Sequence, residues 1–193
     1  MNFRQTIGKC KGYVNWTDRY FAADTLKYLM DGMDSENVTE VKLLASIYQS
    51  GMNRDLYNQF KSFQEEMKIK GIDCKLRVIV DKDLHYELHD RIIEGKNVVY
   101  NVPSAKQIDK GQYSEIKKTP NRPPFDEWWN NSGNLDLISD WNKIDKKISE
   151  QKSKKMYPAV CSECEKQIQV PFAPDGIRPT YCSEHYYLLG GFS

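Results

Sequence analysis

Hydrophobic positions along the chain switch between a period of two and a period of three to four. Gly12-Tyr-Val-Asn-Trp16 is a short apolar and aromatic run that predicts a strand. Leu26, Leu29, Met30 and Met33 then recur at helical spacing, with Asp24 or Thr25 placed to cap the helix and Gly32 near its end. Val38 to Ala45 alternates and closes on Leu43-Leu44, which predicts a buried strand. From Asn53 to Lys70, Leu56, Tyr57, Phe60, Phe63 and Met67 mark one face of an amphipathic helix, and Gly71 suits the position that ends it. Cys74 to Val80 reads as strand again, as does Asp90 to Asn101. Strand, helix, strand, helix, strand predicts an α/β layer on a mostly parallel sheet.

Texture changes after residue 116. Lys117-Lys-Thr-Pro-Asn-Arg-Pro-Pro124 is a basic, proline-rich connector. Phe125 to about Lys155 reads as helical, and the aromatics Phe125, Trp128, Trp129 and Trp141 are expected to dock it on the core. Lys146, Lys147, Lys152, Lys154 and Lys155 make its later part a solvated face. The expected organisation is an α/β lobe over 1–141 with its docked helix, a Lys-rich helical linker over 142–156, and a small metal-bearing unit over 157–193. No internal repeat is present.

Charge narrows the function classes. The 193 residues carry 28 Lys+Arg against 27 Asp+Glu, a formal net charge of +1, which excludes a uniformly basic nucleic-acid coat. No apolar run approaches about 18 residues, so no membrane span is expected. Met1 to Lys11 lacks the apolar stretch of a secretory signal. A cytoplasmic location and reduced thiols are therefore expected.

Of five cysteines, Cys10 and Cys74 stand alone and read as small buried hydrophobes. The others form Cys161-Ser-Glu-Cys164, a gap of 17 residues, then Cys182-Ser-Glu-His185. Two such knuckles complete a tetrahedron of three thiolates and one imidazole, which suits structural Zn²⁺ and leaves no open position for catalysis. Gln167 to Phe172 alternates like a strand and Pro174-Asp-Gly176 signals a turn, giving knuckle, strand, turn, strand, knuckle. So short a segment needs the metal for its stability. With Val170-Pro171-Phe172, Arg178-Pro179 and Tyr181-Cys182, the tail resembles short zinc ribbons at the ends of many microbial proteins, with His185 where they place a final cysteine. That resemblance implies contact with nucleic acid or with protein.

The remaining histidines, His85 and His89, fall in Asp83-Leu-His-Tyr-Glu-Leu-His-Asp-Arg91. A spacing of two would put His89 and Arg91 on one face of a strand leading into a Gly95 hairpin, where imidazole and guanidinium could hold phosphate or carboxylate. His85 has no cation at that spacing and reads as structural. The segment His89-Asp-Arg-Ile-Ile93, then Gly95-Lys-Asn-Val-Val-Tyr100, resembles the phospholipase D superfamily, with Ser104 near its serine loop and Glu115 downstream. The resemblance implies a single lobe of that fold, with His89 as nucleophile, Arg91 as phosphate clamp and Glu115 as auxiliary group, and activity only when two motifs meet, as in a homodimer. Arginine replaces the motif's lysine, Lys96 takes its aspartate position, Val102-Pro103 precedes Ser104, and Lys106 is near its asparagine. A His-Asp-Arg form also occurs in phospholipase D-like modules that bind without hydrolysis. Glycine-rich phosphate loops and Gly-x-Ser-x-Gly elbows are absent.

The function expected first is nucleic-acid binding, with phosphate gripped by Arg91, Ser104, Lys117, Lys118 and Arg122 beside the zinc unit. The alternative is a metal-independent phosphodiesterase or nuclease. A second alternative is a protein-interaction scaffold, which exposed Trp or Phe on the metal unit or linker without surrounding cations would favour.

Overall fold

The computed structural model describes residues 2–104, 115–154 and 156–188. The chain divides into two compact units, Met1–Asp145 and Lys146–Ser193.

In the first unit the predicted elements form in the predicted order: β1 (Gly12–Thr17), α2 (Leu26–Gly32), β2 (Val38–Ser46), α3 (Arg54–Ile69) and β3 (Asp73–Ile79), preceded by α1 (Phe3–Ile7). Local chemistry sets the helix ends. The Asn53 side chain accepts the Leu56 N–H at 3.0 Å to open α3, and Gly71, at φ 76°, takes the left-handed turn after it. The parallel register of β1, β2 and β3 aligns Val14 with Val41 and Cys74, and Trp16 with Leu43 and Leu76. This face packs under α1, where Phe3 stacks on Trp16 at 5.2 Å. On the opposite face Leu44 and Ile79 pack with Leu84, Leu88, Phe125 and Trp129. The docking expected of the aromatic segment is thus realised by α5 (Phe125–Trp129), with Trp141 against Tyr57 at 4.7 Å.

The sheet is mixed. Its order is β6 (Lys117–Lys118), β5 (Val98–Asn101), β4 (Ile92–Gly95), β1, β2, β3 and β7 (Leu135–Asp136). Among the described residues only β1–β2 and β2–β3 are parallel; the β1–β4, β4–β5, β5–β6 and β3–β7 pairings are antiparallel. The expectation of a mostly parallel sheet is corrected on this point. A two-residue connection such as Lys96-Asn97 can join only antiparallel strands. Gly95 is required there because a Cβ would lie 2.7 Å from the Cys10 Cβ. The strand predicted from Asp90 begins only at Ile92, and the stretch before it, to which the pattern assigned no element, forms α4 (Lys82–Glu87), capped by Asp81 accepting the Leu84 N–H at 2.8 Å. The segment from Phe125 to Lys155 is not one helix: β7 separates α5 from α6 (Trp141–Lys154).

The second unit takes in the end of α6, an antiparallel hairpin of β8 (Tyr157–Val160) and β9 (Gln167–Val170), and α7 (Ser183–Leu188). The strand expected after the Pro174-Asp-Gly176 turn is instead β8, ahead of Cys161, and the chain beyond the turn enters α7. Pro179, lacking an N–H, suits no ladder there. Lys106 and Lys155 lie outside the described residues. No described helix is long and apolar enough to cross a membrane.

Candidate metal centre

The hairpin and the helix bring the two knuckles together. Cys161 follows β8 and its N–H donates to the Lys166 carbonyl at 2.9 Å, while Glu165 N–H donates back to the Cys161 carbonyl at 2.9 Å. The tight return puts Glu165 at φ 58° and swings Cys164 toward Cys161. Cys182 stands just before α7 and His185 on its first turn, so one helical turn points both the same way. All four ligand atoms lie within 4.8 Å of one another.

The separations fit a tetrahedral ion. Zn–S and Zn–N bonds of about 2.3 and 2.0 Å imply S···S near ~3.8 Å and S···N near ~3.5 Å. Cys164 Sγ lies 4.0 Å from Cys182 Sγ, and His185 Nδ1 lies 3.5 Å from Cys161 Sγ and 3.3 Å from Cys182 Sγ. Burial works against ionisation of Cys161, but the N–H groups of Cys164, Cys182 and Glu163 and the His185 ring outweigh it and hold the thiol below its ordinary value. Cys161, Cys164, Cys182 and His185 are therefore positioned to bind a zinc ion, as the spacing predicted. Among the described residues of 156–188, Val170 is the only buried hydrophobic besides Cys161 and Cys182, so little but the metal is available to hold this fold.

A family described as "Probable treble clef zinc finger" matches residues 154–187. No curated protein and no solved structure matches the chain.

The residues expected to grip phosphate are spread over the first unit and mostly engaged. His89 and Arg91 precede β4 rather than sharing a face of it, and the His89 side chain is exposed. Arg91 Nε donates to Asp18 Oδ1 at 3.2 Å. Arg122 reaches the carbonyls of Gly95 at 3.0 Å and Lys96 at 2.7 Å and lies 3.5 Å from Glu94, so it clamps the connector on the hairpin. Glu115 pairs with Lys117 at 3.2 Å, and both are well exposed. Lys118 is exposed on β6 and Ser104 is half-buried after β5.

Sequence reasoning missed the polar cluster at the carboxyl ends of β1 and β2. Asp18 is buried and accepts from the Tyr20 N–H at 2.8 Å as well as from Arg91, yet desolvation pushes its carboxyl upward. His85 Nδ1 lies 2.8 Å from Ser46 Oγ. Burial first, then the charges of Arg19 and His89, holds the His85 imidazole below its ordinary value. Their place at the ends of parallel strands was the available signal. Cys10 and Cys74 are buried thiols pushed up to about 12, chiefly by desolvation, in keeping with their reading as small hydrophobes.

Proposed function

We propose that the chain is a non-catalytic binding module whose zinc finger docks a protein partner. The observation that carries this reading is Ile177, 88% exposed at the tip of a turn built to hold it still. Asp175 Oδ1 accepts the N–H groups of Ile177 at 3.0 Å and Arg178 at 2.9 Å, and Oδ2 accepts Arg178 Nε at 2.7 Å. Those donors hold the Asp175 carboxyl at about 2. An apolar side chain on a fixed backbone loses little freedom on docking. Val160 and Phe172 are also exposed, and a hollow of about 400 Å³ lies between Val160 and Ile177.

Charge points the same way. From Met156 to Leu188 the basic residues are Lys166 and Arg178, against Glu163, Glu165, Asp175 and Glu184. Arg178 is already paired with Asp175, and three thiolates around Zn²⁺ add further negative charge. A phosphate backbone gains little from such a surface. Exposed Phe172 with few cations around it is the pattern that favours a scaffold.

Nucleic-acid binding is the second reading. Lys146 and Lys147, exposed on α6, and Lys118 favour it. The phospholipase D-like resemblance of the first unit adds little to it, because Arg91, its expected phosphate clamp, is committed to Asp18. In that reading His89, Arg91 and Glu115 would act as a site only in a pair of lobes.

The test is affinity capture from the native cell with the zinc-loaded chain, wild type beside Ile177→Asp, and labelled DNA and RNA offered to both in magnesium-free buffer without chelator. The expected result is a specific protein retained by the wild type and lost from the variant, with no cleavage. Salt-sensitive retention of nucleic acid that Ile177→Asp leaves unchanged would select the second reading, and cleavage abolished by His89→Ala would restore a phosphodiesterase.

A further inference from the structure

The two edges of the finger hairpin are unlike. The register pairs Tyr157 with Val170, Pro158 with Gln169, Ala159 with Ile168 and Val160 with Gln167. The Cys161 N–H donates to the Lys166 carbonyl at 2.9 Å, which fixes the phase of the ladder. Hydrogen-bonded pairs alternate in antiparallel strands, so Ala159 with Ile168 and Tyr157 with Val170 bond inside the hairpin. The main-chain groups of Pro158 and Val160 therefore point out from β8, and those of Gln167 and Gln169 point out from β9.

The β8 edge is blunted. Pro158 has no N–H to offer, and the Val160 carbonyl already accepts the Thr180 hydroxyl at 2.7 Å. The β9 edge, Gln167-Ile-Gln-Val170, carries no proline and no charge. Among the described residues, no backbone hydrogen bond reaches the outward N–H and C=O groups of Gln167 and Gln169. Native edges are ordinarily protected by proline, lysine or a bulge, and β9 has none of these within its four residues, Lys166 and Pro171 bounding it at either end.

The sequence of that edge is its own complement. We propose that two copies of the chain pair through β9, joining their hairpins into a four-stranded antiparallel sheet across a two-fold axis. Centred on Ile168, the register sets Gln167 opposite Gln169 of the second copy and the reverse, so the outward groups exchange four main-chain hydrogen bonds. Ile168 meets Ile168 of the second copy at the closely spaced position between them. Lys166 falls opposite Val170, which keeps the two ammonium groups at opposite ends of the shared strand. The Ile177 turn borders β8, so this surface leaves the other edge open and stands independently of the partner proposed above. One short strand buries far less than the ~1,200 Å² of stable interfaces, so the dissociation constant is expected at about 10–1,000 µM.

Sedimentation velocity on the zinc-loaded full chain, from about 10 µM to about 1 mM on that scale, tests the pairing. The wild type is expected to shift from monomer to dimer. Gln167→Glu with Gln169→Glu sets carboxylate against carboxylate and is expected to stay monomeric. Gln167→Glu with Gln169→Lys sets opposite charges across the axis and is expected to restore association in a salt-sensitive way. Both positions are exposed, and zinc content reports that each variant keeps its fold. A wild type that stays monomeric throughout, or a double-glutamate variant that associates like the wild type, overturns the proposal.

Discussion

His85 and His89 show how four positions along the chain separate two fates. Both carry the same ring, and only His89 has a cation two residues on. Spacing therefore favoured His89, but α4 ends before it and leaves it exposed, whereas His85 is buried against Ser46. A pattern of two assumes a strand, whereas Asp81 caps a helix that ends at Glu87 and β4 begins only at Ile92. The buried ring has a measurable consequence. Its folded pKa lies below the ordinary value of 6.5, so its contribution to stability is intact above that pH and is lost as pH falls below it. Asp18 and Glu94, raised by burial, act in the opposite sense, their contribution falling as pH rises above the usual carboxylate range. Thermal unfolding of the wild type is thus expected to weaken more steeply from pH 7 to pH 5 than that of His85→Gln, which keeps a hydrogen-bonding group near Ser46 without the titration. Parallel slopes for the two proteins would remove His85 from the account.

At the scale of elements, periodicity was a good guide wherever a face was buried. The α3 stripe is the clearest case: Leu56, Phe60, Phe63 and Met67 are all buried. Phe60→Ala would leave a cavity at the centre of that stripe and is expected to cost about 3–5 kcal/mol in urea unfolding of the first unit. A loss under ~1 kcal/mol would mean that the helix is less firmly seated than its burial implies. Strand direction was less legible. Hydrophobic pattern says that Ile92, Ile93, Val98 and Val99 are covered, but not that β4 returns beside β1 in reverse. Partner choice between strands is a long-range property, and β6 and β7, of two residues each, leave almost no local signature. In the finger, the alternation of β9 was readable, whereas β8 was hidden by its proline and by lying ahead of the first cysteine.

The molecule as a whole joins two units stabilised by different means. The first has a sheet covered on both faces by apolar side chains. The second has a few buried groups around four metal ligands, all of which were readable from spacing alone because coordination geometry is local. The phosphate-gripping set was not readable in that way, since whether Arg91 and Arg122 are available depends on Asp18, Glu94 and the Gly95 turn, far away in sequence. Zinc orders the finger that displays Ile177, and on that ordering the proposed docking depends. The measurement that bears on it most directly is metal analysis and X-ray absorption of the purified full chain, followed by chelation monitored through backbone amide signals. One zinc per chain, bound by three sulfurs and one nitrogen, is predicted, with the amide signals of 156–188 collapsing on its removal while those of the first unit persist. A chain that binds no zinc, or one whose finger signals survive its loss, would contradict it.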